Sequence, residues 1–187
     1  MNVRGFFEFA PSPRGLRYVG DPTAPFSGFH TPSMRGLDEG RFYVILDTSW
    51  SRKHVASAKQ WRQTIDQIFR SLDQDGIQNV IAPRSLEGAA GLRDKNVIYV
   101  NRSFDFIINS GLAARQAASE KEKPVVAVTG AVGKSSTTAM MSHAIRNVGQ
   151  GLKVLHPGPT HNILVRAMAE MTTLPDYDAG VFELSGL

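Results

Sequence analysis

The segment around Val125–Val148 constrains the fold of this 187-residue chain more than any other. The apolar run Val125–Val128, bounded by Pro124 and Gly130, is typical of a strand buried on both faces of a parallel sheet. A glycine-bearing turn follows, and an amphipathic helix begins near Ser135. The predicted apolar face of that helix consists of Met141, Ala144, Ile145 and Val148, and Gly149 or Gly151 ends it. A strand, a tight turn and a helix in this order predict an α/β fold with a parallel sheet.

The residues that follow continue the same alternation. Residues 153–155 predict a second parallel strand, reached by a right-handed crossover. Residues 163–171 predict a helix, and residues 181–184 a third strand. The sequence thus predicts a partial parallel-sheet domain over residues 124–187.

The residues before this segment predict a small α/β domain over residues 41–119. Strands are predicted at 42–46, 80–82 and 97–100, and Ser103 is predicted to start a helix that runs to about residue 118. A further helix ends at Gly76, and its core-facing residues are Trp61, Ile65, Ile68, Phe69 and Leu72. Residues 119–123 form a charged linker, and the proline- and glycine-rich residues 1–40 predict an irregular arm.

Composition excludes several classes of protein. The absence of cysteine excludes disulfides, a thiol nucleophile and thiolate metal sites. No apolar run approaches the length of a membrane helix, and the N-terminus lacks the apolar core of a signal peptide, so we expect a cytoplasmic protein without a membrane partner. The net charge of +4 comes from scattered Lys and Arg. This distribution favours anionic small molecules over nucleic acid as partners.

The glycine-bearing turn is predicted to bind nucleotide phosphates. Gly130 and Gly133 allow the backbone to approach an anion closely, and the N-terminus of the following helix adds partial positive charge. Lys134 supplies a full charge for the β- and γ-phosphates, and the Ser135 hydroxyl is suited to ligate Mg²⁺. The predicted nucleotide-binding residues are Thr129, Gly130, Ala131, Val132, Gly133, Lys134, Ser135 and Ser136.

This loop is a variant of the common phosphate-binding pattern, because Val128 stands where the strict pattern has glycine. A chance occurrence of G-x-x-G-K-S in an unrelated loop is the alternative. The buried strand before the loop and the long helix after it favour a site for ATP and Mg²⁺.

The sequence V-T-G-x-x-G-K-S-S-T after an apolar strand resembles the Mur ligase family, the ATP-dependent amide-forming enzymes of peptidoglycan precursor synthesis. The resemblance extends over roughly residues 34–187 and is closest to the members that add a dipeptide or a diamino acid to a UDP-linked peptide. The other segments that resemble the family are Met34–Val44, Val97–Ala118, Thr160–Asn162 and Phe182–Ser185.

The resemblance implies roles for three residues. Lys134, Asn162 and Glu183 would be catalytic, with Asn162 near the phosphates and with Glu183 and Ser135 holding Mg²⁺. From the residues alone, Asn162 could equally cap the helix that follows it, and Glu183 could be an ordinary carboxylate at a strand end. The resemblance also implies that the domain over residues 41–119 binds the UDP end of a substrate, whose carboxylate would be activated as an acyl phosphate.

The family's central domain continues past its E-L-S strand to a histidine metal ligand and a carbamylated lysine, and a third domain binds the incoming amine. We therefore expect a truncated or split ligase with weak ATP binding, without acceptor-dependent turnover, that self-associates or needs a partner chain. Two alternatives stay open: an inactive nucleotide-binding or regulatory module, and another phosphate-loop kinase or NTPase. The latter usually carries Asp where this chain carries Glu183.

Overall fold

The structure is a computed structural model that describes residues 1–10, 16–30, 40–45, 58–149, 151–157 and 164–184. The chain divides into two compact units, and each is a mixture of helices and mainly parallel strands. The first unit comprises Asn2–Arg4 and Ser12–Phe106, and the second comprises Met1, Gly5–Pro11 and Ile107–Leu187. The α/β class predicted from the sequence is therefore correct.

The first unit is built on a five-stranded sheet. Its strands are β1 (Arg17–Val19), β2 (Phe29–His30), β3 (Phe42–Val44), β4 (Asn79–Pro83) and β5 (Asn96–Val100). Their order across the sheet is β1-β5-β4-β3-β2, and all neighbours are parallel except β1, which is antiparallel to β5. The predicted strands of this region are confirmed, although Leu46, the end of the first, lies outside the described residues.

The helix α2 (Ala58–Gln74) packs on this sheet through the face that its periodicity predicts. Ile65 and Leu72 are buried against Val80 and Val97, which lie on β4 and β5. The other predicted core residues of the helix pack at the edge of the same cluster: Trp61, Ile68 and Phe69. Because apolar side chains recur at helical spacing on one face only, burial of that face drives docking of the helix.

The described part of residues 1–40 is more regular than predicted. It contains α1 (Val3–Phe9) and the strands β1 and β2, so the prediction of an irregular arm is wrong for these residues. The reason is the burial of aromatic side chains that have no regular spacing in the sequence. In the first unit Phe26 lies in contact with Phe29 and Phe42, and all three are almost completely buried.

The second unit is built on a three-stranded parallel sheet. Its strands are β6 (Val125–Val128), β7 (Val154–Leu155) and β8 (Ala179–Glu183), and β8 lies in the middle. The helix α3 (Ser103–Glu120) precedes β6, α4 (Lys134–Val148) connects β6 to β7, and α5 (Leu164–Met171) lies between β7 and β8. Ser103 is the first residue of α3, and Gly149 follows the last residue of α4, as predicted. The predicted domain bounds stay a prediction, and the two units divide within α3.

Two predictions about burial in this unit are wrong. The strand β6 is only half-buried and not buried on both faces, because it is the edge strand of the described sheet. On α4, Ala144 and Val148 are exposed, and Val148 retains 85% of its surface. Met141 and Ile145 pack on the sheet as predicted, and the rest of the face toward the sheet consists of Thr138 and Ser142. The helix therefore docks through a small, partly polar face.

None of the helices in the described parts of the chain is long and apolar enough to cross a membrane.

The helices α2 and α3 end in the same hydrogen-bond pattern. The left-handed residue of this pattern is Gly76 after α2 and Glu122 after α3. After α3, Lys123 N donates to Ala118 O and Glu122 N donates to Ser119 O, which is a Schellman motif. After α2, Ile77 N donates to Leu72 O and Gly76 N donates to Asp73 O. Glu122 has φ 55° and Gly76 has φ 64°, so both residues are left-handed. The conformation is unstrained only for glycine.

We expect Glu122→Gly to raise the free energy of unfolding by about 0.5–1 kcal/mol, since it removes left-handed strain at a helix end. The matched variant Gly76→Ala should lower it by about 1 kcal/mol, since a Cβ there would meet no atom within 4 Å and only the backbone penalty remains. Urea denaturation of the two variants measures both effects. An unchanged or lower stability of Glu122→Gly would contradict this account of the α3 terminus.

Candidate phosphate-binding site

The turn between β6 and α4 has the backbone geometry of a phosphate loop. Gly130 has φ 141° and Gly133 has φ 80°, conformations that other residues rarely adopt. A Cβ at either position would meet no atom within 4 Å, so the space beside both residues is open. The two glycines are therefore required for backbone conformation, and the open space beside them is available to a bound group.

The N-terminus of α4 faces this turn without a side-chain cap. Its N-cap residue is Gly133, which cannot supply one, and no side chain makes a capping hydrogen bond there. The first N–H groups of a helix have no partner within the helix, and they carry the positive end of its dipole. Such an uncapped N-terminus of a long helix is suited to bind an anion.

The side chain of Lys134 lies across the turn. Its Nζ donates a hydrogen bond to Gly130 O over 2.6 Å. The ammonium group is thus held at the mouth of the turn, where it adds a full positive charge to the partial charge of the helix. The contact is exposed, so an anion can reach the ammonium group from solvent.

Sheet register brings Glu183 to the same place. Val128, the last residue of β6, is paired with Glu183, the last residue of β8, and Leu184 N donates to Val128 O. Ser135 Oγ donates to Glu183 Oε2 over 2.7 Å, although the two residues are 48 positions apart. Glu183 is 7% exposed. The two residues predicted to hold Mg²⁺ are therefore in direct contact.

These groups line one open cleft of about 330 Å³, formed by residues 131–136 and Glu183. A volume of this size lies at the lower end of the range for small-molecule sites. Val132 lies at its rim with 93% of its surface exposed. Backbone N–H groups, an ammonium group, a hydroxyl and a carboxylate in one cleft fit a nucleotide phosphate chain with Mg²⁺, which prefers oxygen ligands.

The remaining predicted catalytic residue, Asn162, lies outside the described residues. The same holds for Thr160, His161 and Ser185, on which part of the family resemblance depends. Within the described ranges, no group of three or more His, Asp or Glu side chains could hold a metal ion by itself. Mg²⁺ at this cleft would therefore need ligands from a bound phosphate in addition to Ser135 and Glu183.

One further residue near the cleft, His156, has no metal-ligand spacing that would single it out in the sequence. It directly follows β7 at the edge of the sheet where β8 ends in Glu183. Burial and the nearby Arg146 lower the pKa of His156, and the carboxylate of Glu183 opposes this shift. Its position immediately after a parallel strand is the one sequence signal that could have indicated it.

Comparison with known proteins gives matches in structure and none in sequence. No family model and no curated protein matches the chain. The chain is similar to the solved UDP-N-acetylmuramoylalanyl-D-glutamyl-2,6-diaminopimelate–D-alanyl-D-alanyl ligase from Acinetobacter baumannii, with 16% identity and a TM-score of 0.63 over 99% of this chain and 36% of that one. The chain has a Mur-ligase-like fold.

A second solved structure supports the same fold. MurF from Acinetobacter baumannii matches with 16% identity and a TM-score of 0.52, over 84% of this chain and 30% of that one. The chain thus spans about a third of the length of the solved structures it matches. The fold implied by the family resemblance is confirmed, and the match covers 99% of this chain.

Proposed function

We propose that this chain binds ATP with Mg²⁺ at the phosphate loop, as the ATP-binding part of a Mur-ligase-like ATP-dependent amide ligase. The hydrogen bond of 2.7 Å between Ser135 Oγ and Glu183 Oε2 supports this most strongly. A chance glycine-rich loop would have no reason to bring a buried carboxylate from another strand to its serine. Oxygen ligands beside a phosphate loop are what a nucleotide-bound Mg²⁺ requires.

Each group of the cleft has a proposed role. The N–H groups of the turn and of the α4 N-terminus bind phosphate oxygens, and Lys134 exchanges its contact with Gly130 O for the β- and γ-phosphates. Ser135 and Glu183 hold Mg²⁺, whose charge offsets the charge of the γ-phosphoryl oxygens during transfer. All of these groups stabilise charge, and none of them forms a covalent bond.

The proposed reaction has two steps. A carboxylate oxygen of the substrate attacks the γ-phosphorus of ATP, and the bond to the ADP oxygen breaks, which gives an acyl phosphate and ADP. The nitrogen of an amine then attacks the acyl carbon, phosphate leaves, and the nitrogen loses a proton to give the amide. Most of the acceleration of such a reaction comes from holding the reactants in line.

The proposed substrates follow from the solved ligase described above, whose name contains a UDP-linked muramoyl peptide and a D-alanyl-D-alanyl group. By analogy, the domain predicted over residues 41–119 would bind the UDP end of a cytoplasmic peptidoglycan precursor that offers the carboxylate. Asn162 would lie near the phosphates. The acceptor site would come from a partner chain or from further residues.

A nucleotide-binding or regulatory module without turnover is the second candidate. One observation favours it: among the described residues, the cleft is lined only by the phosphate loop and Glu183. Apart from Glu183, which is assigned to the metal, no described side chain of the cleft carries a charge that could bind an incoming amine. Measuring ADP release with and without amines, over a panel of UDP-linked peptides, separates the candidates. Release that depends on the amine supports the ligase, and ATP binding without release supports the module.

The metal site is tested by Glu183→Gln. This variant keeps the size of the side chain and can still accept the hydrogen bond of Ser135, but it loses the charge that attracts Mg²⁺. We expect the affinity for ATP in Mg²⁺ to fall by about tenfold, with little change in metal-free affinity. Isothermal titration calorimetry with and without Mg²⁺ measures both values. An equal loss of ATP affinity with and without Mg²⁺ would mean that Glu183 is an ordinary carboxylate at a strand end and not a metal ligand.

A further inference from the structure

His156 is a half-buried residue near the proposed metal site, and its Nε2 atom lacks a hydrogen-bond partner. It follows β7, whose last residue Leu155 is paired with Gly180 of β8, so it leaves the sheet at the same edge as Glu183. Its Nε2 atom is inaccessible to solvent and accepts or donates no hydrogen bond among the described residues. Most buried polar atoms have a hydrogen-bond partner, and an exception needs an explanation such as a functional role or a bound ion.

The groups around His156 limit which of them could become a hydrogen-bond partner of its Nε2 atom. Two charged groups lie close enough to affect it, the guanidinium of Arg146 and the carboxylate of Glu183. Arg146 is engaged, since its Nη2 donates to Val154 O over 3.1 Å, and a guanidinium has no lone pair to offer. Glu183 is an acceptor, and in the ligand-free structure its Oε2 accepts the hydrogen bond of Ser135.

The role of His156 rests on the proposed function, in which the carboxylate of Glu183 ligates Mg²⁺. Ser135 Oγ and Glu183 Oε2, which are now joined by a hydrogen bond, would both be ligands if Mg²⁺ were held here. A carboxylate that ligates a metal is normally fixed by a hydrogen bond from a second residue. A neutral imidazole carries a single N–H, and with that proton on Nε2 the ring of His156 could donate to the carboxylate.

We propose that His156 is a positioning residue of the metal site, whose Nε2–H donates a hydrogen bond to Glu183 when Mg²⁺ and nucleotide are bound. In this structure the Nε2 atom has no hydrogen-bond partner among the described residues. His156 touches neither the metal nor the nucleotide. Its contribution is to hold the Glu183 carboxylate in the orientation that the metal needs.

The test uses two substitutions with opposite hydrogen-bonding capacity. His156→Phe keeps a ring but has no N–H, and His156→Gln keeps an N–H near the position of Nε2. The matched control is His143→Ala, which removes an exposed histidine of α4 whose Nε2 contacts only the neighbouring Asn147 among the described residues. Calorimetry with ATP, with and without Mg²⁺, is carried out on each protein, on Glu183→Gln and on the double variant His156→Phe/Glu183→Gln.

We expect His156→Phe to reduce the gain in ATP affinity from Mg²⁺ by about tenfold, with metal-free affinity changed less than about twofold. His156→Gln should recover most of the loss, His143→Ala should match the wild type, and the double variant should lose no more than Glu183→Gln alone. The ligand-free melting temperature of His156→Phe should not fall, since the substitution removes a buried nitrogen without a partner.

Three results would overturn the inference while leaving the proposed function intact. These are an unchanged gain from Mg²⁺ in His156→Phe, an equal loss with and without the metal, and additive losses in the double variant. Failure of the wild-type chain to bind ATP in either condition would overturn the proposed function as well.

Discussion

Replacing Lys134 by alanine is expected to reduce the affinity for ATP by about ten- to a hundredfold. The ammonium group lies at the mouth of the phosphate loop, and a hydrogen bond to a charged group contributes about 1.5–3 kcal/mol. In the ligand-free protein Lys134 contacts only the exposed carbonyl of Gly130 among the described hydrogen bonds, so the substitution should leave the fold intact. Calorimetric titration with ATP measures the change.

The matched control is Lys121→Ala, which removes an exposed lysine from the turn after α3, away from the cleft. It changes the net charge of the chain by the same amount. If affinity depended on overall charge alone, the two variants would bind ATP equally. Unchanged ATP binding by Lys134→Ala, at an unchanged melting temperature, would mean that the turn is not the phosphate site.

Replacing Gly111 by alanine is expected to give the largest loss of stability of any single methyl group added to the second unit. A Cβ at this position of α3 would lie 2.6 Å from Met168 O and 2.9 Å from Met168 Cα, both backbone atoms of α5. Backbone cannot move aside as a flexible side chain can, so the two helices must separate. We expect the free energy of unfolding to fall by about 2–3 kcal/mol, as is typical of overpacking.

Urea denaturation measures this loss against Arg115→Ala, an exposed position on the same helix, for which we expect a change within about 0.5 kcal/mol. Alanine has a higher helix propensity than glycine by about 1 kcal/mol. A more stable Gly111→Ala variant would therefore mean that propensity dominates and that α3 and α5 are not in close contact.

Periodicity predicted the secondary structure well where a single face of an element is apolar. The helix α2 is the clearest example, since Ile65, Ile68 and Leu72 recur at helical spacing and pack on the sheet. The phosphate loop could be predicted because its glycines, lysine and serine each have a physical reason to be there. Glu183 could be selected only through the family resemblance, because the pairing of β6 with β8 is not visible in the sequence.

Burial was harder to predict, because it depends on neighbours far apart in the chain. The run Val125–Val128 is as apolar as a central strand, but its exposure follows from its place at the edge of the described sheet. The predicted apolar face of α4 was right for Met141 and Ile145, but Val148 is exposed and the polar Thr138 and Ser142 are buried in its place. His156 could not be selected from the sequence, because it is distinguished by its neighbours Arg146 and Glu183 in the fold and not by its spacing from other residues in the chain.

The central claim is that the turn after β6 binds ATP together with Mg²⁺. The most direct measurement is a calorimetric titration of the wild-type chain with ATP, repeated with Mg²⁺ present. The account predicts one ATP bound per chain in both conditions and tighter binding with Mg²⁺, because Ser135 and Glu183 then contribute as metal ligands. Absence of ATP binding, or an affinity that Mg²⁺ does not raise, would contradict it.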